Sequence, residues 1–404
     1  MAKRLKRFWR AAVLSTVSLA LVLVALRLAV QHLPWFGPRL ADTLRSVVGA
    51  KAVTRLEELW ADTEDASNRL FRAHSKPRSL EQAQPALEQV RPEASRAEGA
   101  EPRGSKPAEP AFHPQDVGPL DPQVAAKSDG EWRAVVDPAR PADPALLFAT
   151  LIHPDRRRPW AEVFVVAADI TRLSLYAVAG TVEPEAMTAA GQAYTRRGLI
   201  PREHRRQLLA AFNGGFMTKH GRHGMQVDGI TLVPPQPQLC TILGLRDAVR
   251  IGSWKSLGDD VRRAEGEGQL VFWRQAAPCM VEGGVINPLL RDENVRNWGA
   301  TIDGKVVIRR SAVGLNSSRD VLFVAVSNDT TATAIANALR HAGASDVAQL
   351  DVNWSYPKFV LFPVDAAGER HAEGLFEGFV FRDDEYVQRP AARDFFYLVR
   401  RDAP

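Results

Sequence analysis

The sequence is poor in cysteine and lacks the short motifs that mark several large enzyme classes. Only Cys240 and Cys279 occur in 404 residues. It contains no Cys-x-x-Cys pair, zinc-type Cys/His spacing, His-Glu-x-x-His, Gly-x-Ser-x-Gly, P-loop or Rossmann glycine motif. We therefore expect no metal site and no cofactor. The two cysteines pair if the chain reaches an oxidising compartment, or are small buried hydrophobic residues, and the sequence leaves both possibilities open.

An excess of positive charge is also missing outside the first ten residues. The formal net charge is +5, and residues 1–10 alone carry five Lys or Arg side chains and no acid. Residues 11–404 are therefore formally neutral. A basic surface that binds nucleic acid by releasing counterions is not supported, and we expect no nucleic-acid partner.

The one long hydrophobic run lies at residues 11–30, directly after this basic tail. About 20 such residues can cross a bilayer as a helix. We predict a single-pass anchor in the inner (plasma) membrane, with residues 1–10 in the cytoplasm and the later chain periplasmic or extracellular. A cleaved signal peptide is the alternative. Residues 31–74 follow with apolar side chains at near-helical spacing, which predicts amphipathic helices beside the membrane.

Large apolar residues nearly vanish between residues 75 and 128, where Pro, Ala, Glu, Gln and Ser dominate. Such a segment buries too little surface to offset its ordering entropy, so we predict a disordered linker. The remaining residues, 130–404, form the predicted globular domain. Its many short apolar runs and few helical patterns indicate an α+β domain with mixed β-sheet.

Three groups of elements can be placed within this domain. The runs at 161–169 and 172–180 are separated by a polar turn and predict a β-hairpin. Residues 201–217 predict a helix and then a strand that ends at Asn213. Residues 320–352 read as strand, capped helix and strand, with a glycine at the helix end, which predicts one βαβ crossover.

The first stretch with chemical potential is "AAFNGGFMTKHGRHG". Glycines at a strand end let the backbone approach a ligand closely, and the neighbouring Asn amide can donate and accept hydrogen bonds. The cationic loop after it suits an anionic group such as phosphate. A solvated hairpin tip is the simpler interpretation of this loop. The stretch supplies these candidates for substrate binding: Asn213, Gly214, Gly215, Lys219, His220, Arg222 and His223.

Two further stretches place carboxylates after apolar runs. Glu282 precedes two glycines in "APCMVEGG", and Asp351 follows the strand "DVAQL" in "AQLDVNWS". The stretch "RRSAVGLN" adds Arg310 and Asn316. Taken singly, each acid is more simply explained as a turn residue.

The order of these stretches resembles the phosphodiester glycosidase family. N-G-G-F, apolar-x-E-G-G, R-S-A-V-G and a strand–helix–strand unit ending in L-D follow one another across roughly residues 150–385. The resemblance implies an α+β domain whose active site is lined by the N-G-G loop, Arg310, Gly314 and Asp351. It also implies cleavage of a bond between a sugar and a phosphate.

One part of the family pattern differs. The family has D-G-G-G-S-S after the crossover strand, whereas this chain has Asp351-Val352-Asn353-Trp354-Ser355-Tyr356. The Asp and the first Ser are kept, and three glycines are replaced. Those glycines permit close backbone contact with substrate. Their replacement therefore narrows the predicted pocket, while Trp354 adds a surface on which a sugar ring can stack.

Three functions follow from these observations. The first is a membrane-anchored hydrolase of a sugar-1-phosphodiester in an envelope glycan, exopolysaccharide or glycolipid, with Asp351 as the key carboxylate and Glu282 as the second. In this hypothesis Arg310 and the cationic loop hold phosphate, and Asn213 and Asn353 orient sugar hydroxyls. The second is a non-catalytic glycan-binding protein on the same scaffold. The third is an envelope assembly factor whose juxtamembrane helices bind a partner.

Overall fold

The computed structural model describes residues 67, 72, 76–84, 112–137, 139–290, 296–299, 307–352, 355–365 and 367–401. The predicted cytoplasmic tail and the anchor at 11–30 lie outside these residues, as do nearly all of the predicted juxtamembrane helices. Within the described part of the chain, no helix has the length and apolar character needed to cross a bilayer.

Strands make up most of the regular structure, and every strand pairing between them is antiparallel. The strands are β1 (Arg133–Val135), β2 (Leu147–Ile152), β3 (Val163–Asp169), β4 (Leu173–Val178), β5 (Leu208–Asn213), β6 (Met225–Val227), β7 (Ile230–Val233), β8 (Cys240–Leu245), β9 (Val249–Ser253), β10 (Leu270–Gln275), β11 (Val281–Glu282), β12 (Val285–Ile286), β13 (Ile308–Leu315), β14 (Val321–Thr330), β15 (Asp346–Gln349), β16 (Phe359–Leu361), β17 (Glu373–Gly374) and β18 (Phe395–Arg400).

These strands form three sheets. Sheet one has the order β1-β2-β3-β14-β13-β15-β11-β12, sheet two β7-β6-β10-β8-β9, and sheet three β17-β16-β5-β18-β4. The helices are α1 (Leu80–Ala83), α2 (Ala189–Ala193), α3 (Trp254–Gly266) and α4 (Ala332–His341), with short 3-10 turns at Arg202–Gln207, Thr218–His220, Pro288–Leu290 and Arg296–Trp298.

The predicted α+β class and the crossover are confirmed. The Thr331 side chain accepts a hydrogen bond from the Ala334 N–H and caps α4, which connects β14 to β15. Both strands pair antiparallel with β13, so they run parallel to each other on either side of it. This crossover moves the chain from one side of β13 to the other, and Asp351 follows shortly after the end of β15.

A central hydrophobic core lies between the three sheets. Phe164 of sheet one, Phe212 of sheet three and Phe272 of sheet two all belong to it. Alternate residues of β3 point the other way, and Val165 packs in a second cluster with Ile335 of α4. β3 is covered on both faces, and its residues 163–168 are all apolar, as expected for a strand buried on both sides.

The predicted hairpin at 161–180 is wrong. β3 pairs with β2 and β14 in sheet one, whereas β4 pairs with β18 in sheet three. The polar turn between the two strands carries the chain from one sheet to another, because both edges of β3 are already paired, with β2 and β14. Asp169 holds this turn by accepting from the Thr171 N–H (3.0 Å) and the Arg172 Nε (2.6 Å).

Parts of the predicted linker pack against the domain. Leu80 of α1 is only 1% exposed and lies in the central core. Arg78 forms a two-bond pair with Glu162, with Nε–Oε1 and Nη2–Oε2 distances of 2.8 and 2.6 Å. Residues 112–128 are also among those described, whereas 85–111 are not. The described pieces of this segment are therefore folded, contrary to the expectation of disorder.

Cys240 and Cys279 form a disulfide. The bond joins the first residue of β8 in sheet two to the loop before β11 in sheet one. The alternative of two free, buried thiols is thereby excluded.

Candidate active site

The ends of β5 and β15 meet at one hydrogen-bonded junction between sheets three and one. β5 ends at Asn213, and the Asp351 N–H donates to the carbonyl oxygen of Gly214 at 3.0 Å. Ser311 of β13 extends the junction, since its Oγ donates to the Asp351 carbonyl oxygen at 2.9 Å. The crossover strand and the N-G-G stretch, 138 residues apart between Asn213 and Asp351, are thus brought together.

The Asn213 amide is fully used in holding this junction. Its Nδ2 donates to Ser311 Oγ at 2.8 Å and to the Gly214 carbonyl at 3.1 Å. Its Oδ1 accepts from the Lys358 N–H at 3.2 Å. With both donors and the oxygen engaged and the side chain buried, Asn213 positions the backbone. This differs from the expected role of orienting a sugar hydroxyl.

Gly214 and Gly215 are required by a neighbouring ion pair. A Cβ on Gly214 would lie 2.2 Å from Asp394 Oδ2, and one on Gly215 would lie 2.9 Å from the Arg274 guanidinium carbon. The Gly215 N–H donates to Asp394 Oδ2 at 3.0 Å. The close approach that the glycines permit is therefore to Asp394 and Arg274.

Arg274 and Asp394 form a buried, two-bond ion pair that the sequence reasoning missed. Their side chains are 0% and 2% exposed, with an Nε–Oδ2 distance of 2.8 Å and an Nη2–Oδ1 distance of 3.2 Å. The remaining guanidinium N–H groups donate to the carbonyls of Phe216, His223 and Gln275. Arg274 thus ties the N-G-G-F stretch to the cationic loop. Its signal was a single arginine in the apolar run "QLVFWRQ".

Asp351 is 4% exposed, and its carboxylate pairs with the guanidinium of Arg393. That guanidinium lies over the Tyr356 ring, 3.6 Å from its centroid, in a cation–π contact. Burial raises the pKa of Tyr356, with Asp351 and Glu385 adding to the increase and Arg393 opposing it. Asp351 therefore belongs to an ion pair whose guanidinium stacks on an aromatic ring. Neither Arg393 nor Tyr356 was identified as a site residue from the sequence.

The cationic loop follows the N-G-G-F stretch, in which the Gly214 carbonyl accepts from the Asp351 N–H. Lys219, His220 and Arg222 are exposed. Partial burial and the charge of Lys219 lower the pKa of His220, while Asp351 raises it and Arg393 lowers it. Because these charges act on the imidazole, His220 lies in the electrostatic surroundings of Asp351. The role of the loop in binding phosphate stays a prediction.

His223 lies beneath that loop and is buried. Its ring packs against Phe216, with centroids 5.4 Å apart, and its Nδ1 has no hydrogen-bond partner in the described part of the chain. Burial, with the charges of Arg274 and His220, lowers its pKa to about 3. His223 is therefore a neutral packing residue, in contrast to the ligand-binding role expected from the sequence.

Arg310, on β13, is held by protein oxygens. Side chains alternate along a strand, so Arg310 points to the opposite face of β13 from Ser311. It is fully buried and donates to the carbonyls of Trp298 (2.5 Å) and Thr330 (3.2 Å) and to Gln349 Oε1 (3.3 Å). Burial lowers the pKa of its guanidinium. Arg310 thus braces the strands of the site, and its contact with phosphate stays a prediction.

Glu282 lies at the wrong end of β15 to be the second carboxylate. Val281 pairs with Val347, so Glu282 lies beside Asp346 at the start of this strand. Asp351 follows the other end, about 16 Å away along an extended chain. Paired glycosidase carboxyl groups are about 5–9.5 Å apart. The expected Glu282–Asp351 pair is therefore wrong.

Glu282 and Asn316 have local structural contacts instead. Glu282 accepts from the Ser253 N–H at 2.8 Å, at the N-terminus of α3, where a negative charge is favourable. Asn316 Nδ2 donates to Asp320 Oδ1 at 2.5 Å in the β13–β14 turn. β13 ends opposite the start of β15, so this turn is also remote from Asp351.

The remaining predicted residues lie after Asp351 or on β13. Asn353 and Trp354 are outside the described residues, and Ser355 lies in a half-buried turn. Val352 packs closely on Gly299, where an added Cβ would come within 2.6 Å of Val352 Cγ2. Gly314 is needed for packing, because a Cβ there would lie 2.7 Å from the Ala344 Cβ.

No protein-family profile and no curated protein sequence matches the chain. Among solved structures, the catalytic domain of zebrafish N-acetylglucosamine-1-phosphodiester alpha-N-acetylglucosaminidase, auto-inhibited by its pro-peptide, is similar. It is 15% identical, with a TM-score of 0.40, and the match covers 67% of this chain and 88% of that one. A hypothetical protein from Synechocystis is 10% identical, with a TM-score of 0.35 and coverage of 63% and 62%. The likeness is a distant fold relationship.

Proposed function

We propose that this protein is an extracytoplasmic hydrolase that cleaves a sugar-1-phosphodiester bond in an envelope glycan or glycolipid. The observation that carries the proposal is the Asp351–Arg393 ion pair at the end of the crossover strand, joined to the N-G-G backbone, which leads into the cationic loop. The order of the sequence motifs supports it independently.

The ion pair gives the site a means of responding to a phosphodiester. A guanidinium binds phosphate oxygens through two parallel hydrogen bonds, so an incoming phosphate competes with the Asp351 carboxylate for Arg393. Binding of substrate would leave the carboxylate beside the sugar–phosphate bond. The Tyr356 ring keeps the guanidinium plane in place during this exchange.

Hydrolysis then needs only one carboxylate from this chain. The bond between the anomeric carbon and the phosphate oxygen breaks, water supplies a hydroxyl to the carbon and a proton to solvent, and a phosphomonoester dianion leaves. A phosphate is already a good leaving group, so no second acid is needed. Asp351 serves as nucleophile, base or ion-pair stabiliser of the oxocarbenium-like transition state, and Arg393 stabilises charge on the phosphate.

The cationic loop supplies the remaining contacts. Lys219 and Arg222 are exposed on the same loop as His220 and add positive charge for the phosphate. His220 is expected to be neutral near pH 7, because its pKa is lowered. Its neutral imidazole can therefore accept a hydrogen bond from a sugar hydroxyl or donate one to it.

An exported location accords with the disulfide, because such bonds persist mainly in oxidising compartments. We propose that residues 11–30 anchor the chain in the inner membrane with the catalytic domain outside the cytoplasm. This part of the proposal rests on the hydropathy and charge of the sequence.

The test is release of sugar or phosphomonoester from a synthetic N-acetylhexosamine-1-phosphodiester by the full chain. Asp351→Asn should lower kcat by at least about 10³-fold, since it keeps the shape and removes the charge. Glu282→Gln, at the opposite end of β15, is the matched control and should leave kcat unchanged. Equal turnover by Asp351→Asn and the parent chain would refute the assignment.

A non-catalytic glycan-binding protein is the second candidate. The tight packing of Val352 on Gly299, where the family pattern has glycine after the acid, favours it. In that case calorimetry would show the same phosphodiester binding to the parent chain without release of sugar over hours.

A further inference from the structure

A second cluster of cationic side chains lies at the other end of sheet three from Asp351. Arg205 and Arg206 precede β5, whereas Asn213 at its far end belongs to the candidate active site. Six residues of extended strand separate the two ends by about 20 Å. Arg370 joins Arg205 and Arg206, since it follows β16, whose start lies at the active-site end. The cluster is thus spatially separate from the site described above.

These arginines line a cavity of about 360 Å³. Arg140, Arg205, Arg206 and Arg370 contribute to its wall, and Glu369 is the one acid among the lining residues. This volume is at the lower end of the range typical of small-molecule sites. The cavity therefore has the size for one small ligand and an excess of positive charge.

Two of the four guanidinium groups are held rigidly by protein oxygens. Arg370 donates to the carbonyls of Phe362 (2.5 Å), Arg205 (3.2 Å) and Arg206 (2.9 Å). Arg140 donates to Gln207 Oε1 at 2.7 Å. These contacts fix the positive charges at the wall before any ligand arrives, which lowers the entropic cost of binding.

The other two guanidinium groups keep donors available. Arg205 uses its Nε on the Ile200 carbonyl at 3.2 Å, and its two terminal nitrogens have no partner within the described residues. The exposed Arg206 side chain makes no hydrogen bond or ion pair there either. The two adjacent guanidinium groups of Arg205 and Arg206, with their free N–H groups, match the oxygens of a phosphate.

Nearby acids balance the charges of the cluster only in part: Arg140 Nη1 lies 3.9 Å from Asp143 Oδ2, and Asp137 is paired with Arg400. The pKa of Arg205 is lowered by burial and by Arg202, and that of Arg370 by burial, Arg140 and Arg400, with only partial opposition from Glu369 and Asp137. Like charges held together in this way repel one another, and a bound anion relieves the repulsion.

We infer that this cleft, named here the arginine cleft (Arg140, Arg205, Arg206, Arg370), is a binding site for phosphate; that this phosphate is carried by a saccharide rests on the proposed function. Its phosphate lies between the free guanidinium forks of Arg205 and Arg206. The site holds an anionic unit of a glycan about 20 Å from the reacting acid. Arg370 and Arg140 provide additional fixed positive charge.

The test is equilibrium dialysis of the full chain against radiolabelled inorganic phosphate at constant ionic strength. Arg205→Gln/Arg206→Gln should weaken binding of one phosphate equivalent about tenfold or more, the equivalent of losing one charge-assisted hydrogen bond. Arg206→Gln alone, which removes a solvent-exposed side chain, should weaken it by a smaller factor and guards against a folding defect of the double variant.

Two further variants distinguish this site from the candidate active site. Arg262→Gln on α3 removes one exposed charge elsewhere and should leave phosphate binding unchanged. Arg393→Gln should remove a different equivalent from that lost in the double variant. The inference is overturned if the double variant binds as the parent does, or if only Arg393→Gln reduces binding. Loss in the double variant alone would support the cleft and speak against phosphate binding at Asp351.

Discussion

At the scale of single residues, the glycines of the N-G-G stretch are explained by the ion pair that they contact. Gly214 leaves no space for a methyl group, because the Asp394 carboxylate occupies the position of a Cβ. This requirement belongs to the architecture of the site and holds whether or not substrate is bound. The fold therefore requires a glycine at position 214, and so does any activity that depends on the fold.

Gly214→Ala should lower the free energy of unfolding by about 3 kcal/mol, at the upper end of the usual cost of overpacking, because the contact is with a buried ion pair. Gly266→Ala is the control, since no atom lies within 4 Å of its added Cβ and alanine is favoured in helices. Urea denaturation of both variants measures the difference. Equal stability of Gly214→Ala and the parent would contradict the packing argument.

His223 should make stability depend on pH. Its pKa is about 3 in the folded state and about 6.5 when unfolded, so between these values the unfolded chain binds more protons. Stability therefore rises with pH in this window, and at pH 5 the folded state loses about 2 kcal/mol relative to pH 7.5. Urea denaturation at both pH values measures this. His223→Gln should abolish the part of the stability loss at pH 5 that comes from this histidine. If the variant shows the same pH dependence as the parent, the histidine is hydrated and free to protonate in the folded state.

At the scale of elements, the sequence predicted the parts whose signals are local. The capped helix α4, the end of β5 at Asn213 and the end of β15 just before Asp351 follow from side chains within a few residues. The hairpin of β3 and β4 was wrong because the choice of sheet is made by distant strands. The helix α3 was missed, although Leu257, Val261 and Ala264 occupy one face at helical spacing.

The candidate site shows the same limit. Asp351 and the glycines were found because they end predicted strands. Arg274, Arg393 and Asp394 were missed, since their roles depend on pairings between residues 42–120 positions apart. The bracing contacts of Arg310 with Trp298, Thr330 and Gln349 were likewise not foreseen, because they depend on distant segments.

The Arg274–Asp394 ion pair links β10 to the residue before β18. It should stabilise the N-G-G-F stretch, the cationic loop and the segment before β18 together. Arg274→Met leaves the Asp394 carboxylate buried without its partner, and loss of one member of such a pair costs about 3–5 kcal/mol. Arg274→Met/Asp394→Leu should recover part of this cost, because it removes the unpaired charge. Thermal denaturation of the single and double variants measures the coupling. A double variant less stable than the single one by the full cost of a second loss would contradict it.

At the scale of the whole molecule, the three sheets share one core, and covalent and noncovalent ties cross between them. The disulfide joins sheets two and one, and the Asp351–Gly214 hydrogen bond joins sheets one and three. The candidate active site lies at such a tie, and the arginine cleft lies at the opposite end of sheet three. Two ends of one sheet thus serve two proposed anion sites.

The boundary of the folded domain is the last point that can be tested directly. The sequence suggested residue 130, but Leu80 is buried in the central core and the Gly118 carbonyl accepts from His341 Nε2 of α4 at 2.9 Å. A chain that starts at residue 130 loses both contacts. Burial of one leucine contributes about 1.5–3 kcal/mol. We therefore expect residues 130–404 to unfold at a lower temperature than residues 76–404 in calorimetry. Leu80→Ala in the longer chain should give part of the same decrease, whereas equal melting temperatures for the two chains would place the N-terminal segment outside the cooperative unit.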